Sequence, residues 1–331
     1  MNEPIFIARQ DTLEQEILPA HWLAQYKLFG EESYTFQDKG IWKKLCMSSA
    51  AANDRDIHAE ALEEMLTTFS AEHTGKWMLL VYGTNAAALE GLATMAAIAA
   101  NGTAMGAIVD NALLMHAIAN SETAMQRIAN SQTAMQRVAN NRGAMDAIGR
   151  SRIARDAVQA SPYYNSCIKE NDMAIAKLAV GFANLESAGY SGCAGMAADS
   201  TAMTAVAASS TAMTAVAASA TAMGKIAAVD AALSKLAAST TAMDALYARK
   251  KQMKGGSASK SGKFIILEIS QSNAFNTSKY GYAILSDGSK PDWSSYLAKY
   301  AFFQKYPKYA TYMLNDTDSD DYIYYFDIAS P

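Results

Sequence analysis

The decapeptide STAMTAVAAS is written twice in succession, at residues 200–209 and 210–219, and this ten-residue period constrains the chain more than any other feature. The same frame runs backward through NGTAMGAIVD at 101, NALLMHAIAN at 111, SETAMQRIAN at 121, SQTAMQRVAN at 131 and NRGAMDAIGR at 141. A large residue recurs at Met95, Met105, Met115, Met125, Met135 and Met145. Three places after each stands Ile98, Ile108, Ile118, Ile128, Val138 or Ile148. Degenerate copies hold the frame at Val158, Ile168, Ile175, Leu178 and Leu185, and a Gly/Ala-rich stretch near 187–199 shifts the phase. A second array follows, pairing Met203 with Val206, Met213 with Val216, Met223 with Ile226, Leu233 with Leu236 and Met243 with Leu246.

Three structures carry such a period. In a continuous helix ten residues fall roughly 80° short of three turns, so the Met/Ile stripe would wind around the cylinder. Following it would take a supercoil much tighter than the usual ~150 Å pitch. A β-solenoid fits less well, because Ala and Met lack the β-branched or aromatic character of strands. The third structure is a short helix and a turn in every decad. Ser121 is placed to cap, Ala124 to Ile128 are helix-compatible, and Asn130 suits a left-handed C-terminal position. A two-turn helix is unstable alone and must stack on its neighbours. Met125 and Ile128 share one face for that contact, while Ala124 and Ala129 let backbones approach. The array reads as a helical solenoid or rod acting as a spacer, with the Met/Ile stripe as core rather than as an adaptable binding groove. The arginines at 127, 137, 142, 150, 152 and 155 read as a solvated face that a partner surface could also meet.

The flanks have a different texture. Residues 1–84 read as a small mixed domain suited to docking, with an amphipathic helix in DRDIHAEALEEMLTTFSAE (Ile57, Ala61, Leu62, Met65, Phe69) and a buried strand in GKWMLLVYG. Residues 85–248 are the decapeptide region. Residues 249–263, rich in Lys, Gly and Ser, read as a flexible tether. Residues 264–331 read as a β-rich domain opened by the strand FIILEIS, with a turn at Asp287-Gly288, a helix in WSSYLAKYAFFQKY and a last strand YIYYFDIAS. The fold class is therefore multi-domain α+β.

Function-bearing motifs are sparse. The histidines, His21, His58 and His73 among them, stand in no HxH or HExxH spacing, and Cys46, Cys167 and Cys193 form no CxxC pair, so neither a metal nor a disulfide framework is signalled. No GxSxG, phosphate loop or placed catalytic cysteine occurs, and no enzyme or cofactor is expected. Asp316, Asp318, Asp320 and Asp327 have calcium-loop spacing, but Asp321 replaces the turn glycine and a strand follows, so an acidic hairpin loop is expected instead. Tyr280, Tyr282, Trp293, Tyr322 and Tyr324 are candidates for a recognition surface, because Tyr and Trp present flat apolar area with a polar edge. The formal net charge of −4 gives no general attraction to nucleic acid or anionic membrane. The alanine-rich stretches are too interrupted for membrane insertion, and the N-terminus lacks the basic and apolar regions of a secretory leader, so synthesis in a cytoplasm is expected.

Runs such as TAMTAVAASSTAMTAVAAS, followed by a compact domain beginning GKFIILEIS, resemble tail-fibre and other virion structural proteins of tailed bacteriophages. That resemblance, over about residues 91–285, implies a non-enzymatic part of the virion, assembled in the host cytoplasm. It also implies partners among other virion proteins and a homo-oligomer, with a trimer among the open states. The N-terminal domain would dock to the particle, and the C-terminal domain would touch a bacterial surface glycan or a protein. The alternative is an internal connector of the baseplate, neck or capsid surface that meets no receptor.

Overall fold

The computed structural model describes residues 55–68, 74–75, 78, 89, 91–270, 281–293, 297–316 and 321–331. His21, Cys46, Phe69, His73, Tyr280, Asp318, Asp320 and most of the expected strand at 75–83 lie outside the described residues. The fold is mixed α+β, and the chain divides into two compact units, Met1–Cys167 and Ile168–Pro331.

Each intact decad folds as one helix. In the first unit these are α2 (Met95–Ala100), α3 (Gly102–Val109), α4 (Ala112–Asn120), α5 (Glu122–Ala129), α6 (Gln132–Ala139), α7 (Arg142–Arg150) and α8 (Arg152–Ala160), preceded by α1 (Arg55–Thr68) and followed by the single turn α9 (Tyr164–Cys167). The first decad position starts every one of α3 to α8. Its side-chain oxygen accepts from an amide two or three residues on, as Asn101 does from Thr103 and Ala104 at 3.0 Å and Ser121 from Ala124 at 3.1 Å. The same residue ends the previous helix, because its own N–H donates to the carbonyl at the eighth position, Ser121 to Ile118 at 3.1 Å and Ser131 to Ile128 at 3.0 Å. Its extended backbone (φ −96°, ψ 118° at Ser121) makes the corner, and α3 and α4 meet at 102°. Asn130 is not left-handed as expected. It sits at φ −91°, ψ 8°, and its side-chain amide donates to the Gln126 carbonyl at 2.9 Å. One extended residue already turns the chain, so no left-handed cap is needed.

The fourth, fifth, eighth and ninth positions of the first array face inward. The residues assigned to the core from Met95 to Ile148 are at most 3% exposed. In the second array Met203, Val206, Met213, Val216, Met223, Ile226, Met243 and Leu246 are fully buried. Their place in the decad has moved, however. The break at 187–199 shifts the helix start from the first to the tenth letter, with Asp199, Ser209, Ser219 and Ser239 as caps, so that Val206, Val216 and Ile226 again fall seven residues after a cap.

Each helix packs on the third one along: α3 on α6, α4 on α7 and α5 on α8. Serine side chains pin these layers, since besides accepting the capping amide the hydroxyl donates to a carbonyl 32 residues earlier. Ser131 reaches Ala99 at 2.6 Å, Ser151 reaches Ala119 at 2.6 Å and Ser161 reaches Ala129 at 2.5 Å. At the start of the array α1 covers α4 and α5, with His58, Ala61, Leu62 and Met65 buried. Its Glu63 takes the place of the earlier carbonyl, accepting from the Ser121 hydroxyl and from the Thr123 amide (3.1 Å) and hydroxyl (2.6 Å).

The second unit opens with α10 (Asp172–Phe182) and continues through α11 (Cys193–Ala198), α12 (Ser200–Ala208), α13 (Ser210–Ala217), α14 (Ala220–Ala227), α15 (Asp230–Ala238) and α16 (Thr240–Tyr247). The same rule holds, α10 on α13, α11 on α14, α12 on α15 and α13 on α16, and Ser239 donates to the Ala207 carbonyl at 2.5 Å. The expected phase break is the loop after α10. There the buried Lys177 donates to the Ser187 carbonyl at 2.9 Å, and the Asp172 carboxylate accepts the Cys193 amide at 3.0 Å. Across the break Glu170 serves Ser219 (3.4 Å) and the amides of Ala220 (3.2 Å) and Thr221 (2.9 Å).

The rest of this unit is an antiparallel sheet in the order β1-β6-β2-β5-β3-β4, formed by β1 (Lys251–Lys254), β2 (Ala258–Ser270), β3 (Gly281–Leu285), β4 (Asp292–Trp293), β5 (Ala310–Asn315) and β6 (Tyr322–Asp327), with α17 (Ala301–Lys305) packed on β2. The long β2 changes partners: Ala258–Ser261 pairs with β5, Phe264 with both β5 and β6, and the stretch on to Ser270 with β6. Gly262 makes the bend at φ +152°, where a Cβ would stand 2.4 Å from the Phe264 ring. Residues 249–263 are therefore not a tether. Their lysines and serines belong to the edge strand β1 and the exposed start of β2, where charge discourages further strand pairing. Of the helix expected from Trp293 to Tyr306 the described residues form only α17, because Trp293 is taken by β4 and Leu297 bridges to Ile269; residues 294–296 lie outside the described residues. The second array shares a compact unit with the sheet across residue 248, and the boundary read at 84 lies outside the described residues.

Candidate functional site

The aromatic residues singled out in the C-terminal region separate into three environments. Trp293 is corrected from surface to core: 4% exposed, it packs edge-on against Phe302 at 5.7 Å and lies directly over Gly281. A tryptophan opposite a glycine in a cross-strand pair fills the gap the missing side chain leaves.

Tyr322 and Tyr324, two residues apart on β6, stack at 6.2 Å. Tyr324 also meets Tyr247 of α16 at 6.4 Å, with the Lys250 ammonium 3.9 Å from the Tyr247 ring and 5.5 Å from that of Tyr324. This cluster joins the sheet to the last repeat helices. Tyr247 donates to Glu268 and packs edge-on against Tyr300 at 5.8 Å. Burial, then the Glu268 hydrogen bond, pushes the Tyr247 hydroxyl far above the usual range. Asp244 accepts from the Tyr300 hydroxyl and from Lys299 at 3.1 Å, which holds its carboxyl below the usual carboxylate range. Asp230 pairs with Lys308. Tyr300 has φ +73°, an uncommon conformation for tyrosine, at a position where its hydroxyl reaches α16.

Tyr282 is the remaining candidate. It leans on Tyr312 of β5 at 5.7 Å, and the Lys290 ammonium sits 3.7 Å from its ring. Strand register places Ile284 and Leu314 on the same face, and all four side chains are half-buried. Partial desolvation, then Tyr312, raises the Tyr282 hydroxyl. Tyr312 does not stand out in the sequence, and the pairing of β3 with β5 brings it beside Tyr282. Alternation within ATYMLN marks its face but not its neighbour. The result is a small aromatic and aliphatic face with one cation.

Of the four acidic residues with calcium-loop spacing, Asp318 and Asp320 lie outside the described residues, and Asp316 and Asp327 are engaged within the chain. Asp316 accepts from the Ser257 hydroxyl. Asp327 ends β6, about 17 Å along the strand from its start, where Lys251 pairs with it at 3.4 Å. Among the described residues no three His, Cys, Asp or Glu side chains stand together as a metal site would need. Cys167 and Cys193 are free and buried, and burial first, then Asp172, pushes the Cys193 thiol far up. His116 lies beside its helical neighbour Asn120, with Nε2 3.1 Å from the amide nitrogen.

A concave feature lies in the first unit. A groove of about 430 Å³ separates α3 from α6, lined chiefly by Gly102, Gly106, Asp110, Thr133, Gln136 and Arg137. The stripe of core methionines does not reach it. Among the described residues no single helix is long and apolar enough to cross a membrane. The chain matches no known protein family and no curated protein.

Proposed function

We propose that this chain is a non-enzymatic structural subunit of a tailed-bacteriophage fibre or other virion appendage, in which a helical solenoid of decads spaces an N-terminal docking region from a C-terminal recognition domain. The observation that carries the reading is the layer-to-layer pinning of like short helices, with each helix set on the third one along. Such a construction gains length by adding copies and needs no catalytic residues. The junction built from Tyr247, Asp244, Tyr300 and Lys299 supports the same reading, because a recognition domain held firmly on its support transmits position rather than swinging on a linker.

The face formed by Tyr282 and Tyr312 with Lys290 is the proposed contact for a bacterial surface glycan or protein. Chain-tracing images of intact particles test the proposal. The expected result is this chain as an ordered part of the virion, with the C-terminal sheet projecting into solvent. Particles that lack the chain overturn the virion assignment. Particles in which virion proteins cover both ends overturn receptor contact and favour the internal connector.

A further inference from the structure

We propose that the groove between α3 and α6 is a binding site for a carboxylated saccharide, such as a disaccharide bearing a uronate. The inference stands apart from the reading of the C-terminal face, and either can fail without the other.

The argument rests on an internal comparison. The five-residue word TAMQR occurs twice, as 123–127 in α5 and as 133–137 in α6. In α5 its threonine and glutamine are engaged within the chain, while Arg127, like Arg137, has no partner among the described residues. Thr123 gives its amide and hydroxyl to the Glu63 carboxylate, and the Gln126 amide donates to Glu122 at 3.3 Å. In α6 Gln132 replaces Glu122, and among the described residues no carboxylate accepts a hydrogen bond from Thr133. Within the same set the Thr133 hydroxyl, the Gln136 amide and the Arg137 guanidinium have no partner, and all three residues line the groove.

Two glycines open the space. Gly102 and Gly106 stand one helical turn apart on α3, and a Cβ at Gly102 would lie 3.5 Å from Thr133 and 3.6 Å from the Arg137 guanidinium. At Gly106 nothing lies within 4 Å. The two helices run side by side in the same direction, with Thr133 near the start of α3 and Asn141 donating to Asp110 at its end, 2.9 Å away. The groove is therefore roughly 12 Å long by the rise of α3, and its volume falls within the range of about 300–1,000 Å³ usual for small-molecule sites.

Its chemistry is polarised. At one end Thr133 and Arg137 offer a hydroxyl and an unpaired cation, the groups that receive a carboxylate, as the Thr123 contact with Glu63 already shows for half of the set. At the other end the Asp110 carboxylate repels a second anion and accepts hydroxyl protons. Gln136 lies between, and on the α3 side Gly102 and Gly106 leave Val109 as the one apolar side chain lining the groove. A ligand that is anionic at one end and polyhydroxylated along its length satisfies both ends; a simple carboxylate satisfies one.

The test uses the full chain and isothermal titration with a glucuronate-terminated disaccharide, its neutral glucose-terminated analogue and acetate. The acidic disaccharide is expected to bind at least about tenfold more tightly than either comparator, the scale of one charge-assisted contact. Arg137→Gln should erase that advantage, and Arg127→Gln, the same letter of the word outside the groove, should leave it intact. Gly106→Gln should abolish binding while the melting temperature stays level or rises, because the position is open and glycine is a poor helix former. Absence of binding, equal binding of the three probes, or equal effects of Arg127→Gln and Arg137→Gln would overturn the proposal.

Discussion

The two helical arrays share an interior and differ outside. In both, an alanine and usually a methionine in the middle of the helices are buried, and serines at shared corners such as Ser151 and Ser239 tie a helix to the layer before it. The outer positions of the first array carry long side chains such as Gln136, Arg137, Arg142 and Arg152, whereas the second carries Ser200, Thr204, Ser210 and Thr214. Those threonines turn inward, the hydroxyls of Thr204 and Thr214 donating to carbonyls of their own helices at 2.7 and 2.8 Å. The contrast teaches that packing and surface chemistry are written at separate letters of the decad. One scaffold can carry long polar side chains in one stretch and short, internally bonded ones in another.

The strongest way to break this comparison is through the core. Met135→Ala and Met213→Ala each remove a fully buried side chain and should each cost about 2–5 kcal/mol in denaturant unfolding. A large, reproducible gap between them would mean that the two interiors are not equivalent. The serine pins come next. Ser151→Ala and Ser239→Ala each remove a cap and an interlayer bond, with an expected loss of about 1–2 kcal/mol at either site.

Acid sharpens the comparison at Glu170. Burial works to raise its carboxyl, but hydrogen bonds from Thr221 and Ala220 prevail and hold it below the usual value of 4.5. A lowered folded-state value contributes stability above the unfolded value and loses it as pH falls through the folded one. Melting curves of the second unit should therefore shift downward below about pH 4.5, and Glu170→Gln should flatten that acid limb. The smallest effects belong outside: Arg127→Ala and Thr204→Ala should each change stability by no more than about 0.5 kcal/mol, measured by the same unfolding curves.

Much of the helical region is legible in the sequence because its information is local. The caps at Asn101 and Ser121, the small residues at Ala124 and Ala129, and the Met/Ile spacing all act within one decad. The layering is not legible. A ten-residue period states the length of a helix but not which later helix it meets, and that choice depends on the corner angle at the shared cap residue. The segment 249–263 misleads for a related reason: Lys, Gly and Ser describe exposure, and an edge strand is as exposed as a linker. Trp293 reads as surface because nothing near it in sequence announces Gly281 across the strand pair. Of the recognition residues only Tyr282 joins the face now favoured, and its partner Tyr312 becomes visible only through strand pairing.

The coverings at the extremities have a consequence for assembly. A stack of like layers presents at each bare end the surface that the next layer would occupy, so an unprotected array recruits copies of itself for as long as material lasts. Here α1 with Glu63 closes the beginning of one array, and the sheet, through Tyr247, Asp244 and Asp230, closes the finish of the other. Each cover occupies a surface of its own array on which a further layer could otherwise be laid.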